Sequence, residues 1–117
     1  MPSAKLESLI SEIDGWLEPG EQLIEFTIGA HPGAPLGIVL ALTNKYLRLG
    51  SVGGGRNIPL DEIEYLNWSG IWARLTIGTL VPKKRLSFSI NGKDWKGRAA
   101  KIAVAWARSG GQGADKP

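Results

Sequence analysis

Seven residues without a charge or hydroxyl, Leu36-Gly37-Ile38-Val39-Leu40-Ala41-Leu42, run into Thr43-Asn44-Lys45 and at once into a second apolar segment, Tyr46–Leu49. Two apolar segments of strand length separated by so few residues read as strands joined by a tight turn. The glycine run Gly53-Gly54-Gly55 reverses the chain again, and Ile58-Pro59-Leu60 and Ile63–Trp68 continue the sheet. This meander limits the chain to an antiparallel β architecture, because parallel neighbours need long crossovers that are absent here.

The elements on either side complete the frame. Residues 3–17 predict a helix, with Ser3 as N-cap and Leu6, Leu9, Ile10, Ile13 and Leu17 recurring at helical spacing. Glu18-Pro19-Gly20 stops it. Glu21–Gly29 alternates as a half-buried strand, with Ile24, Phe26 and Ile28 facing one way and Glu25 and Thr27 the other. The link Gly29–Pro35 reads as a stiff loop. Ile71–Leu80 and Arg85–Ile90 read as strands around a Val81–Lys84 turn, with Leu86, Phe88 and Ile90 inward. The last helix spans 94–108, where Trp95, Ala99, Ile102 and Trp106 form one face, and the tail 110–117 reads as disordered.

The expected fold is therefore mainly β with capping helices. It is a single domain over 1–109, with strands over 21–91 forming a seven-stranded antiparallel partial barrel plugged by the C-terminal helix. At 117 residues such a chain buries about two-thirds of its unfolded surface, enough for a core without staples. It has no cysteine, so disulfides and thiolate metal sites are excluded. The N-terminal segment lacks a signal peptide's apolar centre, and the longest apolar run falls far short of the ~20 residues that span a bilayer. These features set the expectation of a soluble, cytoplasmic protein.

Charge is unevenly placed. The net charge is +3, yet residues 1–30 carry one basic and six acidic groups, while the rest of the chain carries thirteen basic and five acidic ones. One expectation is that the two ends neutralise one another in the fold. The other is an electropositive face that attracts anionic lipid or nucleic acid.

Three blocks, WLEPGEQLIEF (16–26), LALTNKYLRL (40–49) and IPLDEIEYLNW (58–68), together resemble the bacterial pleckstrin-homology-like and GRAM-like domains. Those domains share a glycine-glutamate entry to the first strand, a threonine-asparagine turn after the second, and an isoleucine-proline-leucine segment. The resemblance covers residues 16–107. It implies a bent seven-stranded partial barrel capped by the C-terminal helix, and a non-enzymatic role in lipid, peptide or self-association. Its phosphoinositide pattern needs Lys or Arg in the first hairpin loop. The loop here, GAHPGAPLG, has none, so that binding is not inherited.

No catalytic, metal or cofactor constellation emerges, and the expectation is a non-enzyme. His31, the single histidine, has no second ligand for zinc and no predicted nucleophile beside it. Asp61, Glu62 and Glu64 read as solvated acids or partners of nearby bases, with Glu62 and Glu64 on one strand face. Gly53-Gly54-Gly55-Arg56 leads into a strand, not a helix, so it is a turn rather than a phosphate loop. Candidate anionic-ligand contacts are Lys83, Lys84 and Arg85 at a hairpin, and Lys93, Lys96 and Arg98 at the start of the last helix. A strand of ~20 Å separates the two groups. Trp68 and Trp72 cannot both face inward without a bulge at Ser69-Gly70, which makes them candidate interface residues. The leading expectation is a binding or self-association module whose partner is a second copy or another protein. A peripheral membrane adaptor on anionic lipid is the alternative, and nucleic-acid binding a further and less favoured one.

Overall fold

A computed structural model describes residues 4–31, 34–51, 54–80 and 82–108, with side chains from Glu7 onward except at 34–36 and 54. Seven antiparallel strands follow an N-terminal helical pair: β1 (Leu23–His31), β2 (Ala34–Thr43), β3 (Tyr46–Ser51), β4 (Gly54–Pro59), β5 (Ile63–Ser69), β6 (Arg74–Leu80) and β7 (Lys83–Ser89). They hydrogen-bond in the order β4-β3-β2-β1-β7-β6-β5. The first four form a meander and the last three a second one. The two are joined at a corner where Ala30 of β1 pairs with Ser89 of β7. Gly29 makes that corner close: a Cβ there would lie 2.9 Å from Ile90 Cδ1 and 3.3 Å from the Ser89 carbonyl oxygen.

The mainly-β fold with a capping C-terminal helix is as the sequence predicts. Helix α3 (Lys93–Arg108) lays Ala99, Ile102 and Trp106 into a core made of Leu40, Leu42, Leu47, Leu75, Ile77 and Phe88, with Trp95 half-buried at its edge. The run Leu36–Leu42 has a simple cause: β2 is buried on both faces. Leu40 and Leu42 enter the main core, while Val39 and Ala41 face outward under the N-terminal helices. Strands covered on both sides lose the polar alternation of a half-exposed sheet.

Several local expectations give way. The predicted single helix over 3–17 is two helices, α1 (Ala4–Ser11) and α2 (Ile13–Trp16), with Ser3 outside the described residues. Ser11 Oγ donates to the Glu7 carbonyl at 3.1 Å, a back-bond that loosens the helical ladder where it ends. The link from Gly29 to Pro35 is no long loop, since β1 and β2 run into it as far as the pair His31–Ala34. Leu60 and Glu62 belong to a 3-10 turn, so Glu62 shares no strand face with Glu64. Lys83 and Lys84 lie in β7 rather than in the turn. The predicted strand at Ile71 begins only at Arg74, after a reversal through Gly70–Ala73. The predicted disordered tail lies outside the described residues.

The facing of β1 is also reversed. Phe26 and Ile28 are half-buried with the α1–α2 cluster, and the polar Thr27 is the fully buried position. Its hydroxyl donates to the Trp95 carbonyl at 2.7 Å, which satisfies it beneath α3.

On the outer face, Leu9, Ile10, Ile13 and Trp16 cover Val39 and Ala41. The far end of the Trp16 ring lies against Gly50, where an added Cβ would sit 2.6 Å from it. Gly50→Val must push the indole away, so its expected cost is about 1–3 kcal/mol. Urea unfolding gives the loss, and an altered near-UV signal identifies Trp16 as the displaced group.

Candidate functional site: opposed charged helical faces and an exposed tip

The charged side chains buried among the described residues, Glu21 and Arg48, form a pair the sequence did not bring together. Glu21 ends the turn after α2, and Arg48 sits in β3 between Leu47 and Leu49. Arg48 Nη2 donates to Glu21 Oε1 at 2.5 Å and Nε donates to Oε2 at 2.8 Å, a bidentate pair. Thr43 Oγ1 also donates to Oε2, and the Glu18 backbone N–H donates to Oε1 at 2.9 Å. The Arg48 guanidinium lies 4.5 Å from the centre of the Tyr46 ring. Hydrogen bonding from Arg48 dominates over the cost of burial and lowers the Glu21 carboxyl from 4.5 to about 2.

Asn44 extends the network. Its Oδ1 accepts from the Gln22 N–H at 2.7 Å, and its Nδ2 donates to the Gly20 carbonyl at 3.2 Å. The glycine-glutamate and threonine-asparagine pairs in the sequence are thus one device, which pins the entry to β1 against the β2–β3 turn. The Glu21 carboxylate is saturated by partners. It is a structural ion.

The acids of the first thirty residues divide into two sets. Glu18, Glu21 and Glu25 pair with later bases: Glu18 with Lys45 and Arg48, Glu21 with Arg48, Glu25 with Arg98. To that extent the two ends do neutralise one another. Glu7, Glu12 and Asp14 point to solvent on α1–α2, and no described ion pair joins them to α3. They form an acidic face.

Helix α3 carries the opposite face. Lys93, Lys96, Lys101 and Arg108 are exposed, against one exposed acid, Asp94. A shallow groove of about 630 Å³ runs between this helix and the start of β1, lined by Ile24, Ala100, Lys101, Val104, Ala105 and Arg108. Ile24 and Val104 are exposed there, at 44% and 49%.

Of the candidate contacts read from sequence, Lys83, Lys84 and Arg85 are exposed at the start of β7, and Lys93 and Lys96 are exposed beyond its far end. Seven residues of strand span ~20 Å, so the two groups form no single patch. Arg98 is taken up by the fold. It lies 2.6 Å from the Glu25 carboxylate and stacks 4.6 Å from the centre of the Phe26 ring. His31 stands edge-on to Phe88 with ring centres 5.1 Å apart. The tryptophan ambiguity resolves through a turn rather than a bulge: Trp68 packs against the core, and Trp72 is 76% exposed. Ile71, unremarked in the sequence, is 89% exposed beside it. Among the described residues no helix is long and apolar enough to cross a membrane.

No protein-family model matches the chain, and no curated protein does. Solved structures do. The C-terminal domain of an unknown protein from Leishmania infantum is 18% identical, with a TM-score of 0.59 over 86% of this chain and 97% of its own. A DUF1696-family protein with a pleckstrin-homology domain, from Shewanella loihica PV-4, is 22% identical, with a TM-score of 0.57 over 87% of this chain and 97% of its own. With most of this chain and nearly all of each neighbour matched, the fold of this protein is pleckstrin-homology-like.

Proposed function

We propose that this protein is a non-catalytic interaction module that works by self-association, the acidic α1–α2 face of one copy meeting the basic α3 face of the next. The segregation of the unpaired charges carries the reading. Glu7, Glu12 and Asp14 are exposed on the N-terminal helical pair, while Lys101 and Arg108 are exposed on a helix that packs elsewhere on the sheet. Two different patches on one molecule make a head-to-tail contact, which closes as a ring or grows as a chain of subunits. The groove at Ile24 and Val104 supplies apolar area at its centre, and the charges give orientation and encounter rate. The fold is pleckstrin-homology-like, and the partners that saturate Glu21 hold that carboxylate out of acid–base work.

Light scattering across a concentration series is the test. The expected result is a mass above the monomer at low salt that falls as salt rises. Lys101→Glu/Arg108→Glu and Glu7→Lys/Glu12→Lys should each be monomeric alone and should associate when mixed, since the unchanged acidic and basic faces then meet and the two reversed faces are also of opposite charge. A strict monomer at high concentration rejects the proposal, as does association unchanged in either double variant.

A further inference from the structure

Ile71 and Trp72 are consecutive, strongly exposed and held at the tip of the β5–β6 hairpin. The backbone presents them by a specific arrangement. Ser69 and Arg74 close the hairpin, the Trp72 N–H donates to Ser69 Oγ at 3.3 Å, and Ala73 takes a φ of 51°. A non-glycine residue in that region is uncommon and persists only where its surroundings impose it. Here the Ala73 carbonyl accepts the Ile90 N–H at 2.9 Å and ties the tip to the end of β7.

That tie also brings basic groups to the tip. Arg74 flanks it directly and is exposed, with one Nη1 contact to Ser87 Oγ at 3.0 Å that leaves other donors free for a further partner. Lys93 follows Ile90 by three residues, so its backbone starts within ~10 Å of the tip. Lys96 is about one helical turn, ~5 Å, further on. Asp94 is the acidic group among them. An aliphatic and an indole side chain thus project from a tip whose chain neighbours, Arg74, Lys93 and Lys96 against Asp94, carry an excess of positive charge.

We propose that the Ile71–Trp72 tip is a wedge that enters the interfacial layer of an anionic bilayer, with Arg74, Lys93 and Lys96 facing its headgroups. Tryptophan favours this layer because its ring is apolar while its N–H keeps a polar partner. Two inserted side chains alone bind only weakly, and basic residues near the surface add a salt-sensitive attraction. Recognition by insertion and charge density carries no stereochemistry, so anionic lipids of equal charge are interchangeable. The surface is separate from Lys101 and Arg108, and the proposal stands independently of self-association.

The test is co-sedimentation of the full chain with unilamellar vesicles of equimolar phosphatidylglycerol and phosphatidylcholine, against vesicles of phosphatidylcholine alone. Binding is expected to the first and to fall steeply with salt. Ile71→Ser/Trp72→Ser should weaken it about tenfold or more, and Arg74→Glu/Lys93→Glu similarly. Trp72→Phe should keep most of it, and Lys83→Glu/Lys84→Glu, at the other end of β7, should leave it unchanged. Circular dichroism establishes that each variant is folded. Failure of the wild type to bind anionic vesicles overturns the proposal, as does undiminished binding by the folded serine variant. If instead the serine variant loses only a salt-sensitive complex with single-stranded DNA, or only its oligomeric mass, the tip serves another partner and the proposal also falls.

Discussion

Arg48→Met is expected to lower stability by about 3–5 kcal/mol, the usual effect of removing one member of a buried pair and leaving the other charged. For a domain of this size the loss corresponds to roughly 10–20 °C in melting temperature. The cause is specific. Glu21 would keep Thr43 and the Glu18 N–H but lose both charge-assisted bonds. Replacing both partners with apolar residues, Glu21→Met/Arg48→Met, should recover most of the loss, since no uncompensated charge then remains.

The pH dependence follows from the same pair. The Glu21 carboxyl is lowered from 4.5 to about 2 by Arg48 and its other donors. A group whose folded pKa is depressed stabilises the fold above its unfolded value. That contribution disappears as pH falls through the folded one. Glu21 therefore contributes on the order of 3 kcal/mol at neutral pH, lost between about pH 4.5 and pH 2. In Arg48→Met the acid-induced loss in this window should shrink or reverse, because burial without the guanidinium favours the protonated carboxyl. Urea unfolding of both proteins at pH 7 and pH 3 measures it. Equal pH slopes would show that the pair is not the source.

Trp106→Ala is the second large effect, expected at about 3–5 kcal/mol. Trp106 is 7% exposed and closes the core where α3 meets the strands, in line with Ala99 and Ile102. Truncation removes most of a large buried ring and leaves a cavity that the sheet cannot collapse into, because its strands are fixed by their ladders. Loss of the plug should also expose apolar surface, read as dye binding before the main unfolding transition. Val104→Ala, on the outward side of the same helix, should change stability by only a few tenths of a kcal/mol.

Parts of the site were legible in the sequence and parts were not, for reasons visible at single residues. The inner face of α3 could be read because Trp95, Ala99, Ile102 and Trp106 repeat at the helix's own period. The Glu21–Arg48 pair could not, because the partners are 27 positions apart and a lone arginine in a strand looks like any solvent-facing base. One signal was available: Arg48 stands between two leucines in a segment whose neighbours are apolar on both faces. The partners of Arg98 are hidden in the sequence for the mirror-image reason. Its position at a helix start suggested a free cation, and only the docking of α3 on β1 brought it to Glu25 and Phe26.

The exposed tip shows the same limit from the other side. Period-two alternation predicts facing within a strand, but Ile71 and Trp72 are in no strand. The hairpin reverses after Ser69 instead of bulging, so both side chains leave the sheet together. Local pattern and turn chemistry, through Leu36–Leu49, the glycine run and the last helix, determined that this chain is an antiparallel meander capped by a helix. Backbone period and chain reversal are short-range properties that neighbouring residues carry in full. Which charges cancel, which faces remain and where the tryptophans point were decided by the tertiary fold, because each depends on contacts between residues far apart in the chain.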